Sequence, residues 1–243
     1  MARNRRSAGK GADSPKIKVL KNGPYLVSGG LPLGKEIIVT GRTGVPVRWE
    51  KAERYPDQKD YALCRCGHST NKPYCTGKHS EIDFDGTETA NRKKYLAKAE
   101  KISGPKIVLR DAVEFCALAR FCERGISVWG FTQESDDPKK KKTAIQEAHD
   151  CPAGRLVMYD RKTGKQIEPD LKPSISIVED PGARASGPIW VKGGVPVESS
   201  KGIKYEIRNR VTLCRCGKSG NKPFCDGTHI NIGFRDGDKR VKR

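Results

Sequence analysis

An α+β fold rich in β-strand is predicted, with one small strand-built unit near each end and a different α+β block between them. Three observations predict it. The stretch CRCGHSTNKPYCTGKH, Cys64 to His79, returns as CRCGKSGNKPFCDGTH, Cys214 to His229. An upstream echo, GPYLVSGGLPL from Gly23 and GPIWVKGGVPV from Gly187, makes the repeat a whole unit rather than a motif. Apolar residues near both stretches alternate with polar ones, as in half-buried strands.

Taken in order, the first echo has an apolar centre that reads as strand and a Gly-Gly-x-Pro end that reads as turn. The first copy carries about 14 more residues than the second between echo and cysteine stretch. In the middle block KIVL from Lys106 reads as strand, while DAVEFCALARFCERG and KKTAIQEAHD read as helical or helix-like. RLVMYDRKTGKQIEP reads as a hairpin around Gly164. In the second copy Ile203, Tyr205, Ile207, Val211 and Leu213 keep period-two spacing and predict a strand. With boundaries at Pro105 and in EDPGARASGP, the expected division is a basic flexible tail over 1–20, a first unit over 21–104, a middle unit over 105–180 and a second copy over 181–243.

The 243 residues suffice for two or three small domains, and at 35% hydrophobic content their cores should be thin. Bound metal is one device that holds such domains together. No apolar run is long enough to cross a bilayer and no apolar leader core follows the first residues, so a cytoplasmic protein is expected, or one of an organelle matrix. Nine cysteines in such a compartment point to metal rather than to disulfides. The formal charge of +19 favours an anionic partner, with basic residues gathered at MARNRR, at DKRVKR and in Lys139–Lys142.

Within each repeated stretch a one-residue gap lets two thiolates of an extended strand end reach one ion. The following loop brings back a third cysteine and a histidine four residues on, about one helical turn, so that both project from one face. Pro73 and Pro223 stiffen the loop. Asp226 is placed to cap the turn, and Gly77 and Gly227 leave room for a bulky centre. Three cysteines and a histidine also suit tetrahedral zinc, but zinc modules pair cysteines through gaps of two to four residues, which favours a cluster here. His68 reads as a surface side chain. Arg65 and Arg215 read either as offsets to cluster charge or as solvated groups.

Both stretches resemble the CDGSH iron–sulfur family. The second fits its pattern throughout, including Ser219, Pro223, Asp226, Gly227 and Thr228; the first has Thr76 for the aspartate and Lys78 for the small residue. The resemblance implies a [2Fe–2S] cluster on Cys64, Cys66, Cys75 and His79, and another on Cys214, Cys216, Cys225 and His229. It also implies that the paired copies form a pseudo-dimer inside one monomeric chain. A solvent-facing imidazole ligand would make each site proton-sensitive, with Lys78 opposing protonation of His79.

The three remaining cysteines, Cys116, Cys122 and Cys151, resemble a single-cluster ferredoxin motif in which Ala119 replaces a ligand. That implies a [3Fe–4S] cluster, or a [4Fe–4S] cluster completed by a residue such as Asp150. Buried thiols on a packed helix are the alternative. A continuous helix would turn Cys116 and Cys122 about 120° apart, whereas a loop would bring them to one centre.

A non-catalytic protein of electron transfer, cluster transfer or redox sensing is therefore expected, steered to an acidic redox partner or cluster acceptor. The second reading is a zinc-binding nucleic-acid module. At 7% aromatic content, with only Tyr74 and Phe224 inside the repeats, a base-stacking platform is not evident. No phosphate loop or nucleophile elbow speaks for an enzyme.

Overall fold

The computed structural model describes residues 14–242; the stretch MARNRR and the final Arg243 lie outside the described residues. The strands are β1 (Lys16–Val19), β2 (Tyr25–Ser28), β3 (Leu33–Thr40), β4 (Pro46–Arg54), β5 (Tyr61–Leu63), β6 (Glu100–Ser103), β7 (Ile107–Asp111), β8 (Leu156–Asp160), β9 (Gln166–Ile167), β10 (Ser174–Asp180), β11 (Ala185–Lys192), β12 (Val197–Glu198) and β13 (Arg210–Leu213). Among the described residues three α-helices accompany them, α1 (Ser127–Gln133), α2 (Pro138–Asp150) and α3 (Thr228–Asn231). The fold is α+β and β-rich. Among the described residues no helix is long and apolar enough to cross a membrane.

The strands form three sheets, ordered β12-β1-β2-β5, β13-β11-β10-β3-β4 and β6-β7-β8-β9. The first two are shared between the copies. β12, downstream, lies parallel to β1 with Ile17 opposite Val197, and the β3–β4 hairpin of the first copy joins β10 in parallel with Leu33 opposite Ile175. Neither copy completes its own sheet. The inner faces enclose one core in which Ile17, Tyr25, Leu63, Ile175, Ile189 and Leu213 are almost wholly buried. Burying such side chains is worth about 1.5–3 kcal/mol each.

Of the tail expected over 1–20, residues 1–13 lie outside the described residues, and Lys16–Val19 belong to the fold, with Ile17 and Val19 pointing into that core from β1. The Gly-Gly turns form as expected, with Gly29, Gly30, Gly193 and Gly194 all at positive φ. The strand expected from Ile203 is corrected: regular pairing begins only at Arg210, and Ile203 and Ile207 are exposed while Tyr205 is buried. Alternating burial there comes from an irregular segment whose Tyr205 hydroxyl donates to Glu88 at 2.5 Å.

The middle unit packs α1 and α2 on the third sheet around Ile107, Leu109, Val128, Ala148 and Met158. KIVL, KKTAIQEAHD and the Gly164 hairpin adopt the expected strand, helix and hairpin. The stretch DAVEFCALARFCERG does not form the expected helix. It makes two single 3₁₀ turns, Val113–Phe115 and Phe121–Glu123, separated by residues with Leu118 and Arg120 at positive φ. Phe121 draws it inward, stacked 4.8 Å from Trp49.

Helix α2 begins where Asp137 accepts the Lys139 amide at 2.7 Å, with Pro138 in the first turn. Glu147 on this helix is completely buried, and neither carboxylate oxygen has a hydrogen-bond partner. Burial pushes its carboxyl up to about 8. The folded state therefore holds a proton that the unfolded chain releases, and stability should fall as pH rises between the ordinary carboxylate range and pH 8. Glu147→Gln removes this term. In thermal unfolding it should match the wild type at pH 4 and exceed it at pH 8; equal pH slopes would refute the assignment.

Candidate metal centres

The same local fold builds both repeated stretches. The strand end and the returning loop are joined by Cys64 N to Pro73 O at 2.8 Å and Cys75 N to Ala62 O at 2.9 Å, and by Cys214 N to Pro223 O at 2.8 Å and Cys225 N to Thr212 O at 2.9 Å. Ser69 and Ser219 hold the loop from inside, donating to Tyr74 O at 2.6 Å and Phe224 O at 2.7 Å. The peptide bonds before Pro73 and Pro223 are cis.

These supports bring the donors together in pairs. Cys64 Sγ lies 3.8 Å from Cys66 Sγ, and Cys214 Sγ lies 3.7 Å from Cys216 Sγ. Cys75 Sγ and Cys225 Sγ each lie 3.4 Å from Nδ1 of His79 and of His229. Two thiolates on one tetrahedral ion, at metal–sulfur bonds of about 2.3 Å, stand ~3.8 Å apart. Among the described residues no group of three or more His, Cys, Asp or Glu converges on a single ion. Two donors per ion fit a two-iron cluster; a lone tetrahedral zinc needs four donors at one point.

The short turns carrying the histidines, Lys78–Ser80 and α3, start from Gly77 at φ +83° and Gly227 at φ +87°. Asp226 accepts from Thr228 N at 3.0 Å and from Gly220 N at 2.7 Å, tying turn to loop as expected of a cap. Thr76 offers only a 3.3 Å contact to Ser69 Oγ. The room expected beside Gly227 is not free. A Cβ there would meet Leu118 Cγ at 2.6 Å and Cys116 O at 3.2 Å, so the middle unit already fills it.

That covering makes the sites unequal. His79 is half-buried, but His229 is only 3% exposed, which corrects the expectation of a solvent-facing imidazole in the second copy. Burial, reinforced by Arg215, pushes His229 down to about 4. Burial also pushes the Cys66 thiol up to about 11 and Cys225 well above the ordinary thiol range. Such thiols become anionic when a metal supplies the missing positive charge. His68 is exposed, as expected, and Arg65 and Arg215 are buried rather than solvated, at 1% and 3% exposure. Lys78 is paired with Glu81, so its field at His79 is offset.

The copies meet at their cysteine turns. A Cβ on Gly67 would lie 2.9 Å from Cys216 O, and one on Gly217 would lie 2.6 Å from Cys66 O. Tyr25 of the first copy donates to Cys214 O at 2.8 Å. Sequence reasoning missed this tyrosine; its place in the echo, where the second copy has Ile189, was the available signal.

Cys116, Cys122 and Cys151 line one small cavity together with Ala119, Pro152 and Arg155. The loop between the 3₁₀ turns brings Cys116 and Cys122 there, and the end of α2 brings Cys151. The trio is too spread to hold a single ion, whereas a cuboidal cluster takes one thiolate per iron. Arg155 donates to Cys116 Sγ at 3.1 Å while Asp111 grips its guanidinium at 2.6 and 2.8 Å. Burial, with Cys151 adding, pushes Cys122 up to about 12. Asp150 does not line the cavity; its carboxylate pairs with Arg124 at 2.8 Å. It does not stand as a fourth donor.

Residues 22–80 and 186–230 match the family described as "Iron-binding zinc finger CDGSH type". Residues 102–161 match the family described as "Divergent 4Fe-4S mono-cluster". No curated protein and no solved structure matches the chain.

Proposed function

We propose that this chain, a tandem CDGSH iron–sulfur protein with a divergent mono-cluster unit between its copies, is a three-centre carrier of electrons or clusters. Its first centre is held by Cys64, Cys66, Cys75 and His79 and its second by Cys214, Cys216, Cys225 and His229, each as [2Fe–2S]. Cys116, Cys122 and Cys151 hold a third, cuboidal cluster, [3Fe–4S] or [4Fe–4S]. The observation that carries this reading is the pairing of donors, two per ion at tetrahedral spacing, in both copies. When bound, a cluster with one imidazole among its ligands exchanges one electron at a higher potential than an all-thiolate centre.

The chain's own residues position and shield. Shared sheets make the copies a pseudo-dimer within one chain, with the cysteine turns back to back. The units are read as residues 21–104, 105–180 and 181–243, with β6 and β10 crossing these borders through their pairing. Leu118 packs over Gly227 at the second centre, while half-buried His79 leaves the first the more open to a partner. The charge of +19 selects an acidic redox partner or cluster acceptor.

Iron and acid-labile sulfide in anaerobically purified protein test the reading. About seven or eight irons per chain with a similar amount of sulfide are expected. Four irons would remove the middle cluster. A colourless protein holding zinc and no sulfide would overturn the proposal.

A further inference from the structure

Arg65 and Arg215 occupy equivalent places, each between paired cysteines and each almost wholly buried. Their surroundings correspond. Each Nε donates to the glycine that opens its echo, Gly23 at 2.9 Å and Gly187 at 2.7 Å. Each guanidinium lies over a phenylalanine, Phe84 at 5.3 Å and Phe234 at 5.5 Å, whose amide bonds the histidine carbonyl, His79 or His229.

The compensation differs. Arg215 is paired with Asp236 and with Glu179, the latter at 2.6 Å. Arg65 has only carbonyl partners, Leu20 at 3.2 Å, Gly86 at 2.7 Å and Gly23, and its Nη1 is buried with no partner at all. Among the described residues no carboxylate forms an ion pair with it. The residue two after Phe84 is Gly86, where the second copy has Asp236 two after Phe234, and a Cβ on Gly86 would overlap Arg65 Nη2 at 1.9 Å, so the guanidinium fills the place of a side chain there. The partner that neutralises the second guanidinium is missing from the first. Thr76 in place of Asp226 withdraws another negative charge in the same sense. Buried charges of this kind are screened little by salt.

We infer that the two CDGSH sites are electrostatically unequal and that an electron shared between them rests on the first, beside Arg65, which Glu88 and Asp85 offset only from beyond ion-pair distance. This deepens the proposed function and rests on it. In the exchange the second site loses one electron and the first gains one, with no proton or outside reagent consumed. Added negative charge is favoured next to a lone buried cation and less so next to one already paired. The direction suits the architecture: the second site, covered by Leu118 and the Cys116 carbonyl, is the inner link toward the middle cavity, and the first site is the outlet.

Reductive titration of the full chain, followed by visible absorption and electron paramagnetic resonance, tests this. Two steps are expected, with the first site favoured about tenfold or more, or ~59 mV for a one-electron couple. Arg65→Gln removes the buried positive charge and should lower the earlier step toward the later one. Asp236→Asn should instead raise the later step, and Asp136→Asn, at an exposed side chain between α1 and α2, should move neither. A single step in the wild type that stays put in both Arg65→Gln and Asp236→Asn would overturn the inference while leaving the iron and sulfide content intact. Absence of iron and sulfide would overturn the underlying reading itself.

Discussion

Arg210→Ala is expected to cost about 3–5 kcal/mol of folding stability, the range for breaking a buried charge network from one side. Arg210 is 1% exposed on β13. Its guanidinium donates to the carbonyls of Ala148, of His149 at 3.2 Å, of Cys151 at 2.8 Å and of Leu156 at 3.1 Å, and it is paired with Glu168. Several of these carbonyls close the C-terminal end of α2, where a helix leaves its last oxygens without internal partners. One side chain of the second copy thus caps the middle unit's helix and fixes the backbone of Cys151. Truncation would leave several buried carbonyl oxygens without a donor and Glu168 with Asn209 as its remaining side-chain partner. Arg210→Lys should recover part of the loss at most, since an ammonium lacks the planar fork that spans these acceptors. The shift would be read in urea unfolding; a cost below about 1 kcal/mol would refute the clamp.

Cys122→Ala is expected to remove the middle unit's iron, roughly three or four atoms per chain, while sparing the iron of the other two sites. Cys122 is partly buried in the cavity that Cys116 and Cys151 also line. Were it only a packed thiol, alanine would trim a small apolar group at a modest stability cost and leave the metal content unchanged. Iron analysis separates the two outcomes without any assay of function. The folded state of the variant can be checked independently through the ordered core around Ile107, Leu109 and Met158. Retention of all the iron in a folded Cys122→Ala protein would remove Cys122 from the donor set.

Much of the site was legible because its signals are local. A Cys-x-Cys gap, a returning proline loop and a four-residue step to histidine are short-range constraints, and the backbone meets them with bonds inside each stretch. The Gly-Gly turns, helix α2 with its Asp137-Pro138 start and the Gly164 hairpin were legible for the same reason. The misreadings came where distant groups outweigh local pattern. Ile203 and Ile207 alternate like a strand but find no partner strand. DAVEFCALARFCERG has helical composition, yet Phe121 is pulled into an aromatic cluster with Trp49 and Trp190 and the chain breaks around it.

By itself the amino-acid order determined which donor atoms occur, at what spacing and how many times, because those follow from neighbours along the chain. Only the tertiary structure decided that the copies exchange strands, that Leu118 covers Gly227 and buries His229, and that Arg215 is neutralised while Arg65 is not. Those outcomes depend on contacts between residues far apart in the chain, such as Leu118 with Gly227 and Arg215 with Glu179. Burial and charge compensation belong to such contacts, and spacing along one stretch carries no record of them.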